Sequence, residues 1–319
     1  MLSKKICVLL LFIAFFSFIF SFININVLAE DQPNLISQKN SMINVGVYVL
    51  SIGNFELNKG TYLLDFYLIF KWENQNLSPT SFEFMNGRPV TKEKIFEEIT
   101  NDSSEIWYRI QANLFITPDL TNYPFDSQDI KIVIEDSKFN NSVLMYNIMD
   151  DMVYVDENFQ LAGWEVQSYN CNVITHKYPW GENYSQIVFI IKLVRALGPN
   201  AVKLLLPPII FCIVSGLSFF FKADKITHRI GLGTSMLISA VMFHLSQTSS
   251  LPSLPSLILI DKIMIAVYAF LASSLFATTL IYIDEEYWKD VDYTKYVNRY
   301  GAIITIILPF IVFLLLYLF

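Results

Sequence analysis

The sequence predicts an extracellular all-β sandwich followed by a membrane domain of four α-helices. Three observations carry this. The chain has 319 residues, 54% of them hydrophobic and only 16% charged, whereas a soluble domain is nearer 25% charged. The apolar excess is concentrated at the N-terminus and in the last third. Between them, residues 30–199 have an ordinary soluble composition and carry repeated β-branched and aromatic runs bounded by turn residues.

The first 29 residues read as a signal peptide. Lys4 and Lys5 form a positive start, Ile6–Ile23 is apolar, and Val27-Leu28-Ala29 ends in small-residue character. A retained anchor is the alternative, because the apolar stretch is long enough to span. The acidic, polar sequence directly after Ala29 favours cleavage. Domain limits follow: a leader at 1–29, an extracellular domain at 30–199 and a membrane domain at 200–319. Of the three cysteines, Cys7 leaves with the leader, and Cys171 and Cys212 fall in different compartments, so no intrachain disulfide is expected. The soluble part must be held by its core, and about 170 residues suffice for one.

Within that part, Asn44–Leu50 and Thr61–Trp72 read as strands, with turn signals at Gly53-Asn54 and Asn58-Lys59-Gly60. Ile130–Ile134 and Gln186–Leu193 are further strands. Lys92–Ile99 carries Lys and Glu at helical spacing and reads as a short helix. Repeated strands with turn signals point to an antiparallel sandwich. This region holds 22 acidic and 12 basic residues, a net charge of −10. That argues against a nucleic-acid partner and favours the accumulation of small cations, although a solubilising surface would look the same.

Four apolar segments follow Pro199, at about 203–221, 230–248, 257–283 and 300–319. Each approaches the roughly 20 residues a helix needs to cross the bilayer, and helix is the state that satisfies its own backbone there. Lys222, Lys225, His228 and Arg229 lie between the first and second segments, and Lys289, Lys295 and Arg299 between the third and fourth; Ser249–Ser256 is uncharged. Positive residues stay inside. The expected protein is therefore multi-pass in the cell membrane, with the N-terminal domain and the C-terminus outside, extracellular or periplasmic. The acidic stretch Asp284–Asp292 is too short for a large intracellular domain.

The second segment is unusual. Gly231, Ser235, Ile238, Met242, Leu245 and Ser249 recur at spacings of 4, 3, 4, 3 and 4 and so share one helical face. The face is small or polar at its ends and apolar in its middle. Two readings fit: a helix–helix contact built on small residues, or a pore wall with an apolar constriction. One helix cannot enclose a pore, so the second reading requires a ring of copies.

The order of motifs resembles the pentameric ligand-gated channels that include the Cys-loop receptors. Most specific is the run Ile116–Ile130 with its core Tyr123-Pro124-Phe125-Asp126-Ser127-Gln128. Ile116 and Ile130 stand where animal members carry disulfide-bonded cysteines, as in the prokaryotic branch. Arg195, Pro207, the run Arg229–Ser235, Leu251–Pro255 with Ile260–Lys262, and Trp72 and Trp164 also resemble family positions. The resemblance implies an immunoglobulin-like sandwich of about ten strands above four helices, assembled as a homopentamer with four identical partner subunits in a lipid bilayer. It implies a channel for inorganic ions, opened by a small extracellular ligand or by protons. Pore-lining residues would be the six of the second-segment face, with an apolar gate ring made by Ile238, alone or with Met242 or Leu245. Coupling would involve Glu56, Pro124, Phe125, Asp126, Arg195 and Pro252, with Arg195 paired to Asp126 or Glu56. Ligand contacts would be Tyr67, Phe139, Tyr178, Trp180 and Tyr184, an aromatic set suited to an amine. Ser137 departs from the family's usual aromatic there.

Ion preference is weakly written. His228 replaces the glutamate usual in cation-selective members, Thr227-His228 replaces the Pro-Ala of anion-selective ones, and the acidic outer domain favours cations. His228 and His244 are candidate pH sensors. No His-Glu-x-x-His, no Gly-rich phosphate loop and no Ser/His/Asp context argues for an enzyme, a cofactor or a metal. A non-conducting sensor of the same fold is the rival reading.

Overall fold

The computed structural model describes residues 41–73, 77–100, 103–249 and 251–318. The leader expected at 1–29 lies outside them. Nine strands precede four helices among the described residues. The strands are β1 (Ser41–Glu56), β2 (Thr61–Trp72), β3 (Phe82–Phe84), β4 (Gly87–Ile99), β5 (Ser104–Phe115), β6 (Ser127–Asp136), β7 (Leu144–Val155), β8 (Trp164–Lys177) and β9 (Asn183–Arg195). They form two sheets, ordered β4-β5-β2-β1-β7 and β3-β6-β9-β8. Pairing is antiparallel except between β1 and β7.

Period-2 alternation builds the core. In β2, Tyr62, Leu64, Phe66 and Leu68 are buried while Leu63, Asp65 and Tyr67 face outward. They meet Ile132, Ile134, Ile187, Phe189 and Ile191 from the other sheet in one cluster. The fully buried Tyr62 hydroxyl donates to the Lys131 carbonyl at 2.5 Å and accepts from the Lys131 amide at 2.8 Å, tying the sheets together. Burial pushes its pKa up to about 12.

Two expected local features are corrected. Lys92–Ile99 is not helical but part of strand β4, paired with β5 along its length. A complete partner strand outweighs weak helical propensity. The i,i+3 ion pair of Lys94 and Glu97 sits beside a bulge between Lys94 and Phe96. β4 is also an edge strand, and charged residues and bulges are what edges carry to prevent further pairing. Gly53-Asn54 is likewise not the turn. β1 runs on to Glu56 through an irregularity in which Asn54 takes φ 45°. The turn falls at Leu57–Gly60, where Gly60 has φ +63° and any Cβ would lie 2.7 Å from the Ile116 carbonyl oxygen.

The helices are α1 (Leu197–Gly216), α2 (Ile226–Thr248), α3 (Leu259–Ile283) and α4 (Val291–Leu318). All four are long and apolar enough to cross a membrane. α1 starts six residues before the expected 203, leaving Ala196 alone between β9 and the helix. It ends at Gly216, with a short 3-10 turn at Leu217–Phe220 completing the apolar stretch. α4 starts nine residues before the expected 300, because Asp292, Lys295 and Arg299 sit on helical turns that hydropathy does not reveal. Over their most apolar windows, half of α3 is buried but only 11% of α2. Arg229, at the base of α2, is fully buried; it donates to the Ser218 carbonyl at 2.7 Å and to Asn298 of α4.

Candidate functional site

Three regions carry the expected site residues. The first is the junction of sandwich and helices. Asp126 follows Phe125 at the end of the loop before β6, and Arg195 closes β9, so the β6–β9 ladder brings them together. Arg195 Nε donates to Asp126 Oδ1 at 2.6 Å and Nη2 to Oδ2 at 3.0 Å. The Asp126 side chain is 1% exposed and that of Arg195 16%. Gln128 donates to Asp126 Oδ2 at 2.8 Å. The guanidinium carbon lies 4.3 Å from the Trp164 ring centroid and 5.0 Å from that of Tyr123. Glu56 takes a different partner, Lys59, at 2.6 Å. Of the two expected partners of Arg195, the structure pairs it with Asp126.

Pro124 is buried, Phe125 half-buried, and the Tyr123-Pro124 peptide is cis. Leu120 and Tyr123 of this loop join one apolar cluster with Leu204 of α1, Ala240 of α2, and Ile258, Ile260 and Met264 at the start of α3. Leu57 from the β1–β2 turn and Leu251 and Leu254 from the α2–α3 loop pack against it, and Pro252 lies half-buried in that loop. The Leu259 amide donates to the Thr121 carbonyl at 3.0 Å. The β1–β2 turn, the loop at Asp126 and the α2–α3 loop therefore meet in one cluster.

The second region is α2. Gly231, Ser235, Ile238, Met242, Leu245 and Ser249 are all exposed, Ile238, Met242 and Leu245 at 65%, 62% and 59%. Gly233 and Ala240, on the opposite face, are buried against the neighbouring helices. The polar residues beside the stripe are satisfied within the helix: Thr234 donates to the Ile230 carbonyl and Ser239 to the Ser235 carbonyl, both at 2.9 Å. His244 faces inward, with Nε2 2.9 Å from Asp261 and Nδ1 3.0 Å from the Tyr268 hydroxyl. His228 is exposed.

The third region is the β8–β9 hairpin. Tyr178 stacks on Trp180 with centroids 4.3 Å apart and meets Tyr184 edge-on at 5.5 Å. Trp180 Nε1 and the Tyr184 hydroxyl both donate to Glu182, at 3.0 and 3.3 Å. Phe139 lies half-buried against the sandwich core. Tyr67 is on the other sheet, stacked with Tyr48 at 6.3 Å and 5.9 Å from the Arg109 guanidinium. Within one subunit the structure gathers Tyr178, Trp180 and Tyr184 and leaves Tyr67 on a separate face.

Sequence reasoning missed the support beneath the hairpin. Glu135, 2% exposed, accepts from the Tyr178 hydroxyl at 2.9 Å and from Gln186 at 3.0 Å, and faces His176 Nδ1 at 3.0 Å. Desolvation, then the hydrogen bond to Glu135, push the Tyr178 phenol up to about 12. The adjacent Asp136 accepts from Ser81 and from the amides of Lys138 and Phe139. Two acids ending a strand were the available signal. Among the described residues, no group of three or more His, Cys, Asp or Glu could hold a metal ion.

The fold and these regions define a multi-pass membrane protein with an N-terminal β domain outside the membrane, and the architecture fits the Cys-loop receptor fold. No family model matches the chain. It is similar to a pH-sensitive chloride channel 2 of Drosophila melanogaster, 29% identical over 153 residues covering 45% of this chain and 29% of the relative. It is 27% identical over 195 residues to a neuronal acetylcholine receptor subunit alpha-9 of Rattus norvegicus, covering 57% and 40%. A gamma-aminobutyric acid receptor subunit pi of Bos taurus matches at 23% over 202 residues, covering 62% and 46%. The chain spans less than half the length of these relatives.

Proposed function

We propose that the chain is one subunit of a homopentameric ligand-gated ion channel of the prokaryotic type. The carrying observation is the α2 face: six residues at helical spacing, apolar in the middle, left uncovered while the opposite face is buried. Five copies around an axis would turn this face into a pore, with Ile238 as the ring that excludes water when the helices close. Gly231 and Ser235 would line the cytoplasmic end, and Ser249 the outer mouth beyond Met242 and Leu245.

Binding outside would shift a closed–open equilibrium by favouring the open arrangement. The aromatic hairpin residues Tyr178, Trp180 and Tyr184, with Phe139, would receive the ligand against Tyr67 of a neighbouring subunit. Motion of the sandwich would reach α1 through Ala196 and reach α2 through the cluster beneath Asp126, with Glu56, Pro124, Phe125, Arg195 and Pro252 at the contact. The cation preference rests on the net charge of −10 outside; one relative is by name a chloride channel, and a reversal potential decides between them. Domain limits at 30–199 and 200–319, after a cleaved leader, belong to the same proposal.

The test is ion flux from liposomes holding the purified protein, with Ile238→Ser beside the parent. A hydrophilic ring at that level should raise basal flux several-fold. Equal flux in the two, with both proteins assembled as pentamers by mass in detergent, would place the constriction elsewhere.

A further inference from the structure

The hairpin's aromatic stack stands on a carboxylate the proposed ligand site does not use. Glu135 lies in β6, two strands from His176 in β8, and the β6–β9–β8 register carries them together across 41 residues. Its side chain is 2% exposed. Oε1 accepts from the Tyr178 hydroxyl, and Oε2 from Gln186 and His176. Nδ1 faces the carboxylate at 3.0 Å, which favours a proton on that nitrogen, and Gln186 Nε2, itself a donor to Oε2, lies 3.4 Å from it. His176 Nε2 has no hydrogen bond among the described residues, and at 37% exposure the ring can exchange a proton with water.

The groups around the pair are acids and phenols. Asp136 follows on β6, Glu83 lies on β3, Tyr146 on β7, and Glu182 and Tyr184 in the hairpin. Among the described residues, His176 is the one basic side chain at ion-pair distance from Glu135. The His176 ring also lies 4.3 Å from that of Tyr178, which in turn stacks on Trp180. Protonation of one imidazole therefore acts on the whole stack.

We propose that Glu135 and His176 are positioning residues forming a proton-set lock on the β8–β9 hairpin. With His176 neutral, its N–H···carboxylate bond leaves a buried charge without a counterion. With His176 protonated, the same contact becomes an ion pair, which adds Coulomb attraction to a hydrogen bond whose acceptor is charged in both states. Acid then holds Tyr178 and Trp180 against the sandwich, and alkali loosens them. The consequence for ligand binding rests on the proposed role of Tyr178, Trp180 and Tyr184; the lock itself does not.

The test is a pH titration of tryptophan fluorescence on the purified full chain in detergent, with Trp180→Phe subtracted to isolate the exposed Trp180. A single transition is expected on acidifying from pH 8 to pH 5. It should vanish in His176→Gln. In Glu135→Gln, which keeps the shape and loses the charge, the amplitude of the transition should fall at least several-fold, because the protonated ring no longer meets a counterion. A Trp180 signal flat over that range, or a transition unchanged in either variant, overturns the lock. The readout needs no ligand and no current, so failure of the ligand-site reading would appear only in recordings, with this transition intact.

Discussion

Removing one member of the Arg195–Asp126 pair should destabilise the junction, and the two single removals should differ in a definite order. Arg195→Ala strands a carboxylate whose side chain is 1% exposed and which keeps Gln128 as its side-chain donor. Breaking a buried pair this way costs about 3–5 kcal/mol. Asp126→Ala leaves a guanidinium that is 16% exposed and still lies over Trp164 and Tyr123. Its loss is nearer the roughly 1–3 kcal/mol of an unmade polar contact. For a unit of this size, 1 kcal/mol corresponds to about 2–4 °C. Arg195→Ala should therefore lower the midpoint by about 6–20 °C, and Asp126→Ala by about 2–12 °C. The assay is thermal unfolding of the purified full chain in detergent at one scan rate. The double variant should lose less than the sum of the singles, because the two act as a unit. An Arg195→Ala midpoint within about 1 °C of the parent, or a larger loss for Asp126→Ala, would refute the reasoning.

Further outcomes are expected. Tyr62→Phe removes the hydroxyl that exchanges bonds with Lys131 and should cost about 1–3 kcal/mol, read as a lower unfolding midpoint with unchanged strand signal. Gly46→Ala would place a Cβ 2.6 Å from Met152 Cβ, between β1 and β7; overpacking of about 1–3 kcal/mol should follow, and an unchanged midpoint would contradict the register. The Cys171 thiol is pushed up to about 12 by desolvation and then by Asp150. Since the thiolate is the reactive form, alkylation at pH 8, followed site by site by mass spectrometry, should run roughly a thousandfold slower than at an exposed cysteine near its ordinary pKa. The rate should rise about tenfold per pH unit up to about 12, and a rate that levels off near pH 9 would contradict the assignment.

Much of this was legible in the sequence, for identifiable reasons. The bounds of Thr61–Trp72 are legible because the run is rich in Tyr, Phe, Leu and Ile and the turn residues ending at Gly60 precede it. The α2 stripe was legible because a 4-3 spacing has one geometric meaning on a helix, and all six of its residues lie uncovered together. β4 was misread because an edge strand rich in Lys and Glu has no apolar period, and its identity lies in its partner β5. The start of α4 was hidden because hydropathy registers lipid contact rather than helix. The choice of Asp126 over Glu56 was open, since both acids lie near the junction and only the β6–β9 register decides. The Glu135–His176 contact could not be read at all, because no local pattern links residues 41 apart.

The most direct test of the central proposal is a current recording from the purified protein in planar bilayers under asymmetric salt, scanning pH and small amines. The proposal predicts currents with a defined reversal potential, opened by ligand or acid and enlarged at rest by Ile238→Ser. Silence from assembled pentamers of both parent and variant would contradict it and leave a non-conducting sensor built on the same fold.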